Sequence, residues 1–165
     1  MNIESHNAYM ADPRRVVTRL LELRTREGVH ACAMGTIDRC QVYAMERSGA
    51  LPKLHVISRY LDALGLLIVD LFDDGLDSKL SNEEAADAER IGLFFKSLRE
   101  RTGLNIKQTQ LALAGQKGHT YERLERGENQ PKLSTIARVC THFGVTVESV
   151  FEPIEQEVRY ALTAE

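Results

Sequence analysis

The chain has 165 residues, of which 43% are hydrophobic, and its formal net charge at pH 7 is −3. This length is enough for one ordinary domain or two very small ones, and the composition is typical of a globular protein rather than a disordered one. No segment approaches the roughly 18 uninterrupted apolar residues of a membrane span, and residues 1–15 contain no apolar signal-peptide core. We therefore expect a cytoplasmic protein with no membrane partner.

The charges are distributed in blocks along the chain. Residues 14–72 carry nine Lys or Arg against six Asp or Glu, and residues 91–152 carry the same numbers. Residues 73–90 carry two basic residues against seven acidic ones, which predicts an acidic connector between two domains. An N-terminal arm precedes the first domain, and a C-terminal tail follows the second. The arm is residues 1–13 and the tail is residues 153–165. Because local charge decides whether a face can meet phosphate, both basic blocks are candidates for nucleic-acid contact.

Two stretches of the chain are nearly the same. The segment MERSGALPKLHVI covers residues 45–57, LERGENQPKLSTI covers residues 124–136, and six of the thirteen positions are identical. The similarity extends backward, after a four-residue difference in length, from LRTREGV at residues 23–29 to LRERTGL at residues 98–104. This pattern predicts an internal duplication, with one copy in residues 14–72 and the other in residues 91–152.

Both copies are predicted to be helical throughout. The segment LGLLIVDLF at residues 64–72 has the composition of a strand, but its counterpart FGVTVESVF at residues 143–151 fits a turn and a short helix. In the second copy, Ser81-x-x-Glu84 is a capping-box signal for a first helix that Gly103 ends. After a loop at residues 105–107, a second helix is predicted over residues 108–114 and a third over residues 117–126. A fourth helix is predicted from a cap at Ser134 to Gly144, and a short fifth helix after a cap at Thr146.

No residue pattern indicates catalysis or metal binding. Cys32, Cys40 and Cys140 are not spaced as metal ligands are, and we interpret them as unliganded thiols in a reducing compartment. No His lies at a productive spacing from a nucleophile, and no glycine-rich loop could cradle a phosphate. We therefore expect no enzymatic activity, no catalytic residues, no metal and no cofactor.

A set of motifs follows in order along residues 103–151. These are Gln108-x-x-Leu111-Ala112, Gly115 in a turn, Tyr121-x-x-Leu124-Glu125-x-Gly127, Pro131, and Leu133-x-x-Ile136-Ala137. As a set they resemble the lambda-repressor-like helix-turn-helix domains of the Cro/xenobiotic-response-element (XRE) family. The resemblance implies an all-α fold of two five-helix bundles in tandem, joined by the acidic helical connector. It also implies that Glu125 belongs to the framework that ties the third helix to its neighbours.

The first copy resembles the family less closely. It keeps the framework positions Gly28, Val42, Met45, Glu46, Pro52, Leu54 and Ile57, but HACAMG at residues 30–35 replaces the Q-x-x-L-A motif. We interpret the first copy as a degenerate helix-turn-helix domain with a retained scaffold.

The resemblance implies a recognition helix around residues 117–126 that enters the major groove of DNA. Arg123 is the residue expected to read a base, because its guanidinium can bond guanine O6 and N7 together. Phosphate contacts are expected from Gln108, Lys117, Arg126 and Lys132. The complete set of expected DNA-binding residues is Gln108, Lys117, Gly118, His119, Thr120, Arg123, Arg126 and Lys132, with further first-copy contacts at Arg39, Gln41 and Arg47.

These expectations favour a sequence-specific regulator of transcription, a repressor that occupies a double-stranded DNA operator. One chain could reach two half-sites, or a homodimer could use only its better recognition helices. The alternative is a protein-binding helix-turn-helix module, of antiactivator or antitoxin type, in which the degenerate first copy, or both copies, bind and control a partner protein through the groove-facing surface. The weak basicity, the acidic Glu122 and the helix-weakening Gly118 favour this alternative.

Overall fold

The computed structural model describes residues 2–35, 37–48, 52–72, 80–113 and 120–152. Within these ranges the chain forms α-helices and short 3-10 helices and no strand. The α-helices are α1 (Ile3–Met10), α2 (Pro13–Arg26), α3 (Arg39–Ser48), α4 (Leu54–Asp62), α5 (Asn82–Ala86), α6 (Ala88–Arg101), α7 (Ile106–Ala112), α8 (Thr120–Glu125) and α9 (Leu133–Phe143). The 3-10 helices are Ala31–Ala33, Ile68–Leu71 and Glu148–Phe151. None of the helices in the described ranges is long and apolar enough to cross a membrane.

The two longest helices, α2 and α6, begin in the same way. The side chain of Asp12 accepts a hydrogen bond from Arg14 N (2.7 Å) at the start of α2, and Pro13 fits the first helical position because no partner is needed for its nitrogen there. At the start of α6, Asp87 accepts from Glu89 N (2.9 Å). These caps fix where each helix begins.

The buried side chains form a hydrophobic core that runs from Met10 to Phe151. We refer to residues 2–72 as the first half and to residues 80–152 as the second half. Tyr60 of α4 and Tyr121 of α8 are the largest fully buried side chains of the two halves. The Tyr60 hydroxyl donates to the Glu46 carboxylate (2.9 Å) and lies 3.3 Å from the Leu20 carbonyl oxygen, and the Tyr121 hydroxyl donates to the Phe95 carbonyl oxygen (3.3 Å). Each buried hydroxyl is thus satisfied, which avoids the cost of burying an unpaired polar group.

The two halves contact each other extensively. Helix α1 packs on α9 and α5 packs on α4, so each half is covered by the first helix of the other half. The rings of Phe72 and Phe151 stack with their centroids 5.5 Å apart. Lys53 and Lys132 form an antiparallel backbone bridge, and Leu54 N donates to the carbonyl oxygen of Pro131 (2.9 Å).

Several predicted helix boundaries are confirmed. Ser81 and Glu84 form the expected capping box, in which Ser81 N donates to the Glu84 carboxylate at 3.0 Å. Helix α6 ends just before Gly103, and α9 ends at the left-handed Gly144, which has a φ of 69°. The segment at residues 68–71 is a 3-10 helix, as its counterpart in the second half predicted, and not a strand.

Other predicted boundaries are wrong. Residues 82–101 form two helices instead of one, because Asp87 adopts an extended conformation and caps α6. Residues 105–107 are not a loop: the Asn105 side chain caps Gln108 N, so α7 begins at Ile106. Ser134 lies inside α9, which begins after Lys132 without a side-chain cap. Of the predicted helix over residues 117–126, the described part is α8, and residues 117–119 lie outside the described ranges.

Candidate nucleic-acid interface

Helix α7 is held at its start by a reciprocal pair of hydrogen bonds. Gln108 N donates to the Asn105 side-chain oxygen (2.9 Å), and Asn105 N donates to the Gln108 side-chain oxygen (2.9 Å). This capping box satisfies two helix-terminal amides. The side chain of Gln108 is exposed, and its amide oxygen is used by the cap. Only the amide NH2 of Gln108 is therefore available for the phosphate contact expected of this residue.

Helix α8 is fixed to α6 by a largely buried ion pair. Arg99 donates to both carboxylate oxygens of Glu125 (2.7 and 3.1 Å), and a third guanidinium nitrogen donates to the carbonyl oxygen of Leu104 (3.1 Å). The side chains of Arg99 and Glu125 are 12% and 6% exposed, and their hydrogen bonds raise the pKa of Arg99. Glu125 therefore ties α8 to Arg99 of α6, and Arg99 in turn bonds the segment just before α7, as expected of a framework residue.

A close backbone approach also positions α8. A Cβ atom added to Gly92 would lie 2.7 Å from the carbonyl oxygen of Leu124, closer than side-chain carbons come to backbone oxygens. No prediction from the sequence included Gly92. A signal was present, since an isolated glycine inside a strong helical pattern costs about 1 kcal/mol relative to alanine and points to a packing requirement.

The outer face of α8 and the turn that follows it carry two exposed arginines. The Arg123 side chain is 54% exposed and donates to Glu128 (3.2 Å) and to the side-chain oxygen of Asn129 (3.2 Å). Arg126, which is 61% exposed, pairs with Glu122 and approaches Glu128 (3.6 Å). Two arginines and two glutamates therefore share this face. Exposed ion pairs of this kind contribute only about 0 to 1 kcal/mol to stability. Their arginines can therefore leave the carboxylates at little cost and bind a phosphate or a base edge instead.

Two further predicted residues lie at or just before the start of a helix. Thr120 lies at the start of α8 and is half-buried, whereas Lys132 is exposed just before α9. The predicted residues Lys117, Gly118 and His119 lie outside the described ranges. Lys53, which no prediction included, is exposed and directly opposite Lys132 in the backbone bridge.

The first half has a corresponding face on α3. Arg39, Gln41 and Arg47 are all exposed there. The Arg47 guanidinium lies over the ring of Tyr43, 5.6 Å from the ring centroid. The segment that precedes α3 contains the 3-10 helix Ala31–Ala33 instead of an α-helix like α7, which agrees with the missing Q-x-x-L-A motif.

The cysteines are free thiols of two kinds. Cys140 is buried, and burial raises its pKa. Cys32 and Cys40 are exposed next to Arg39, and the hydrogen bond to Cys32 raises the pKa of the Arg39 guanidinium. Within the described ranges, no group of three or more His, Cys, Asp or Glu side chains could hold a metal ion.

Comparisons with known proteins bear on the second half of the chain. No curated protein matches the sequence, and no solved structure does. The model of a protein family described as "Helix-turn-helix domain" matches residues 90–150, the segment that contains α7 and α8. Residues 90–150 are therefore similar to helix-turn-helix domains.

Proposed function

We propose that this protein is a sequence-specific DNA-binding regulator, a repressor that occupies its operator and reads the major groove with α8. One observation carries the proposal. In the segment that matches the helix-turn-helix family, the Arg99–Glu125 pair and the Gly92 approach hold α8 in place while Arg123 points outward. A rigid helix with an exposed arginine is what base recognition in the major groove requires.

The residues of this surface have different proposed roles. Arg123 reads a guanine, because its planar fork matches the O6 and N7 acceptors. Arg126, Lys132 and the amide group of Gln108 contact phosphates and carry no sequence information. Lys117, Gly118, His119 and Thr120 complete the groove-facing surface, and Arg39, Gln41 and Arg47 supply weaker contacts from the first half.

We also propose that the two halves are tandem copies and that the first is degenerate. Matching contacts support this interpretation. Arg24 bonds both oxygens of Glu46 (2.8 and 3.0 Å), as Arg99 bonds Glu125 in the second half. A third nitrogen of Arg24 donates to the Val29 carbonyl oxygen (3.0 Å), as Arg99 donates to Leu104. The framework is thus repeated, while the position of Arg123 is occupied by Ala44 in the first half.

The proposal is tested by titrating the protein with DNA from upstream of its own coding sequence at several salt concentrations. We expect affinity to fall steeply as salt rises, because binding releases counterions from the phosphates. Arg123→Ala should abolish the preference for this DNA over random duplex, and Lys132→Ala should lower the salt slope by about one while keeping the preference. Lys96→Ala, on the outer face of α6, is the matched control. If the protein does not bind this DNA, or if its affinity does not change with salt, the proposal is wrong.

A second candidate function is a protein-binding module that controls a partner. The observation that favours it is the neutral outer face of α8, where Glu122 and Glu128 pair with both arginines. The variant Arg39→Ala/Gln41→Ala separates the two functions of the first half. Unchanged DNA affinity together with loss of a protein partner in a pull-down would assign the first half to protein binding.

A further inference from the structure

Contacts between the two halves join residues that occupy equivalent positions. Lys53 pairs with Lys132, and the Phe72 ring stacks on Phe151. Each pair is 79 residues apart, which is also the offset between the two similar sequence stretches. In an interface with two-fold symmetry, a residue on the axis meets its own counterpart. Two such contacts between equivalent residues, on different elements, define an approximate two-fold axis inside a single chain.

The exchanged first helices obey the same relation. The Asn7 amide of α1 donates to the Thr141 hydroxyl (3.1 Å) and to the Val145 carbonyl oxygen (2.9 Å). The Asn82 amide of α5 donates to Asp62 Oδ1 (2.7 Å) and to the Leu66 carbonyl oxygen (2.7 Å). Asp62 and Thr141 are 79 residues apart, as are Leu66 and Val145. The contact that α1 makes with the second half is therefore the same as the contact that α5 makes with the first half.

We propose that one chain is an internal dimer that binds one DNA duplex at two inverted but unlike half-sites. This inference rests on the proposed function. A two-fold arrangement of recognition helices requires inverted half-sites, and their spacing follows the protein's axis. The half-sites must differ because the two recognition helices differ: Ala44 and Tyr43 of α3 stand where α8 has Arg123 and Glu122.

The axis also places two like charges side by side. Lys53 and Lys132 are exposed, and directly opposed residues of an antiparallel pair have Cβ atoms about 5 Å apart. The two ammonium groups, carried on flexible side chains that start this close together, raise the positive potential at the axis and favour an anion beside them. Phosphates of the duplex segment between the half-sites supply that anion. Lys53 thus joins Lys132 as a phosphate contact at the centre of the operator.

The first experiment is selection of binding sequences from a random duplex pool with the full chain. We expect two dissimilar half-sites in inverted orientation, centred about one helical turn apart, and one chain per duplex by sedimentation. A single half-site, or a perfect palindrome bound by two chains, would overturn the internal dimer but leave the proposed function intact. Absence of any enriched sequence and of salt-dependent duplex binding would overturn both.

Charge removal tests the lysine pair. On the selected duplex, Lys53→Ala and Lys132→Ala should each lower the slope of log K against log salt by about 0.9, and the double variant by about 1.8. Lys96→Ala should leave the slope unchanged. A normal slope in Lys53→Ala, with a lowered slope in Lys132→Ala, would refute the central position of Lys53 while keeping DNA binding by the second half.

A third experiment tests the axis without DNA. In the variant Lys53→Cys/Lys132→Cys with Cys32→Ser and Cys40→Ser, oxidised glutathione should form one disulfide within the chain and be reduced to two glutathione thiols. Opposed residues of a backbone bridge are close enough for that bond. The expected product is a monomer two hydrogens lighter than the reduced protein. Disulfide-linked dimers, or thiols that stay free, would contradict the internal axis.

Discussion

Glu125 illustrates how a single residue fixes the position of α8. Its carboxylate is 6% exposed and bonds Arg99 twice, whereas the second acid near Arg99, Glu100, is 47% exposed at 3.7 Å. The same guanidinium thus has one buried and one solvated partner. Glu100 lies on α6 beside Arg99, whereas Glu125 lies on α8, so the buried Arg99–Glu125 pair ties the two helices together and is the costlier of the two pairs to break.

The variant Glu125→Ala should lower the free energy of unfolding by about 3 kcal/mol, because it leaves the Arg99 charge buried without its partner. Glu100→Ala is the matched control and should cost less than about 1 kcal/mol. Urea denaturation of both variants measures the difference. Equal losses in the two variants would contradict the framework role of Glu125.

Two buried tyrosines predict how stability depends on alkaline pH. Burial raises the pKa of Tyr60 and of Tyr121 above the ordinary value of about 10, and the neighbouring Glu46 and Glu125 carboxylates raise it further. The unfolded chain therefore loses these protons at a lower pH than the folded protein. Their contribution is fully present below about pH 10 and is lost as pH rises above it, by about 1.4 kcal/mol per pH unit for each tyrosine.

Urea denaturation between pH 8 and pH 11.5 tests this dependence. Tyr60→Phe and Tyr121→Phe should each reduce the alkaline loss of stability, although each variant is less stable than the natural chain at pH 8. Tyr9→Phe is the control, because the Tyr9 ring is 49% exposed on α1. An unchanged slope in both buried-tyrosine variants would contradict the assignment.

At the scale of helices, the contact between α6 and α8 sets the position of α8. Helix packing distances normally depend on the side chains between the axes. Here Gly92 provides no side chain, so the backbones of α6 and α8 touch. The residue of the first half that aligns with Gly92 is Val17, which is buried on α2, so the first half has a side chain where the second half has none.

Gly92→Ala should destabilise the protein, by about 1 to 3 kcal/mol, because the new methyl group overpacks the α6–α8 contact. Where a helical glycine has free space around it, the same substitution stabilises the protein by about 1 kcal/mol. The sign of the change in stability therefore shows whether the two backbones are in close contact. Thermal unfolding followed by circular dichroism measures it. A stabilised Gly92→Ala variant would show that α8 does not rest on the α6 backbone.

The sequence predicted most helices of the second half because hydrophobic spacing and glycine stops are local signals. It did not predict the break between α5 and α6 at Asp87 or the start of α7 at Ile106. At both places an Asp or Asn side chain bonds a backbone amide and begins a new helix, and hydrophobic spacing does not show this. The framework role of Glu125 followed from the family resemblance. Gly92 and Lys53 were not predicted, because their importance depends on the backbone that lies opposite them in space.

At the scale of the whole molecule, the exchanged helices connect the stability of the two halves. Asn7 is fully buried, donates to Thr141 and Val145, and accepts from Val147 N (2.9 Å). All three partners lie more than 130 residues away along the chain. Unfolding of either half must therefore remove a helix from the other.

Asn7→Ala should cost about 3 kcal/mol, since it leaves buried partners in the second half unpaired. Hydrogen exchange measured by mass spectrometry should show faster exchange in residues 133–150, although the substitution lies in α1. Asn2→Ala, which removes only the exposed cap of α1, should cost about 1 kcal/mol and serves as the control. Faster exchange confined to residues 2–30 would contradict the coupling of the halves.

We propose that Arg123 of α8 reads a guanine in the major groove, and methylation interference on a bound duplex tests this base contact most directly. Methylation of guanine N7 blocks the acceptor that a bidentate arginine needs. We predict at least one guanine whose methylation prevents binding of the natural chain but has no effect on the residual binding of Arg123→Ala. If no guanine N7 methylation interferes, or if interference persists unchanged in Arg123→Ala, α8 does not read DNA through Arg123.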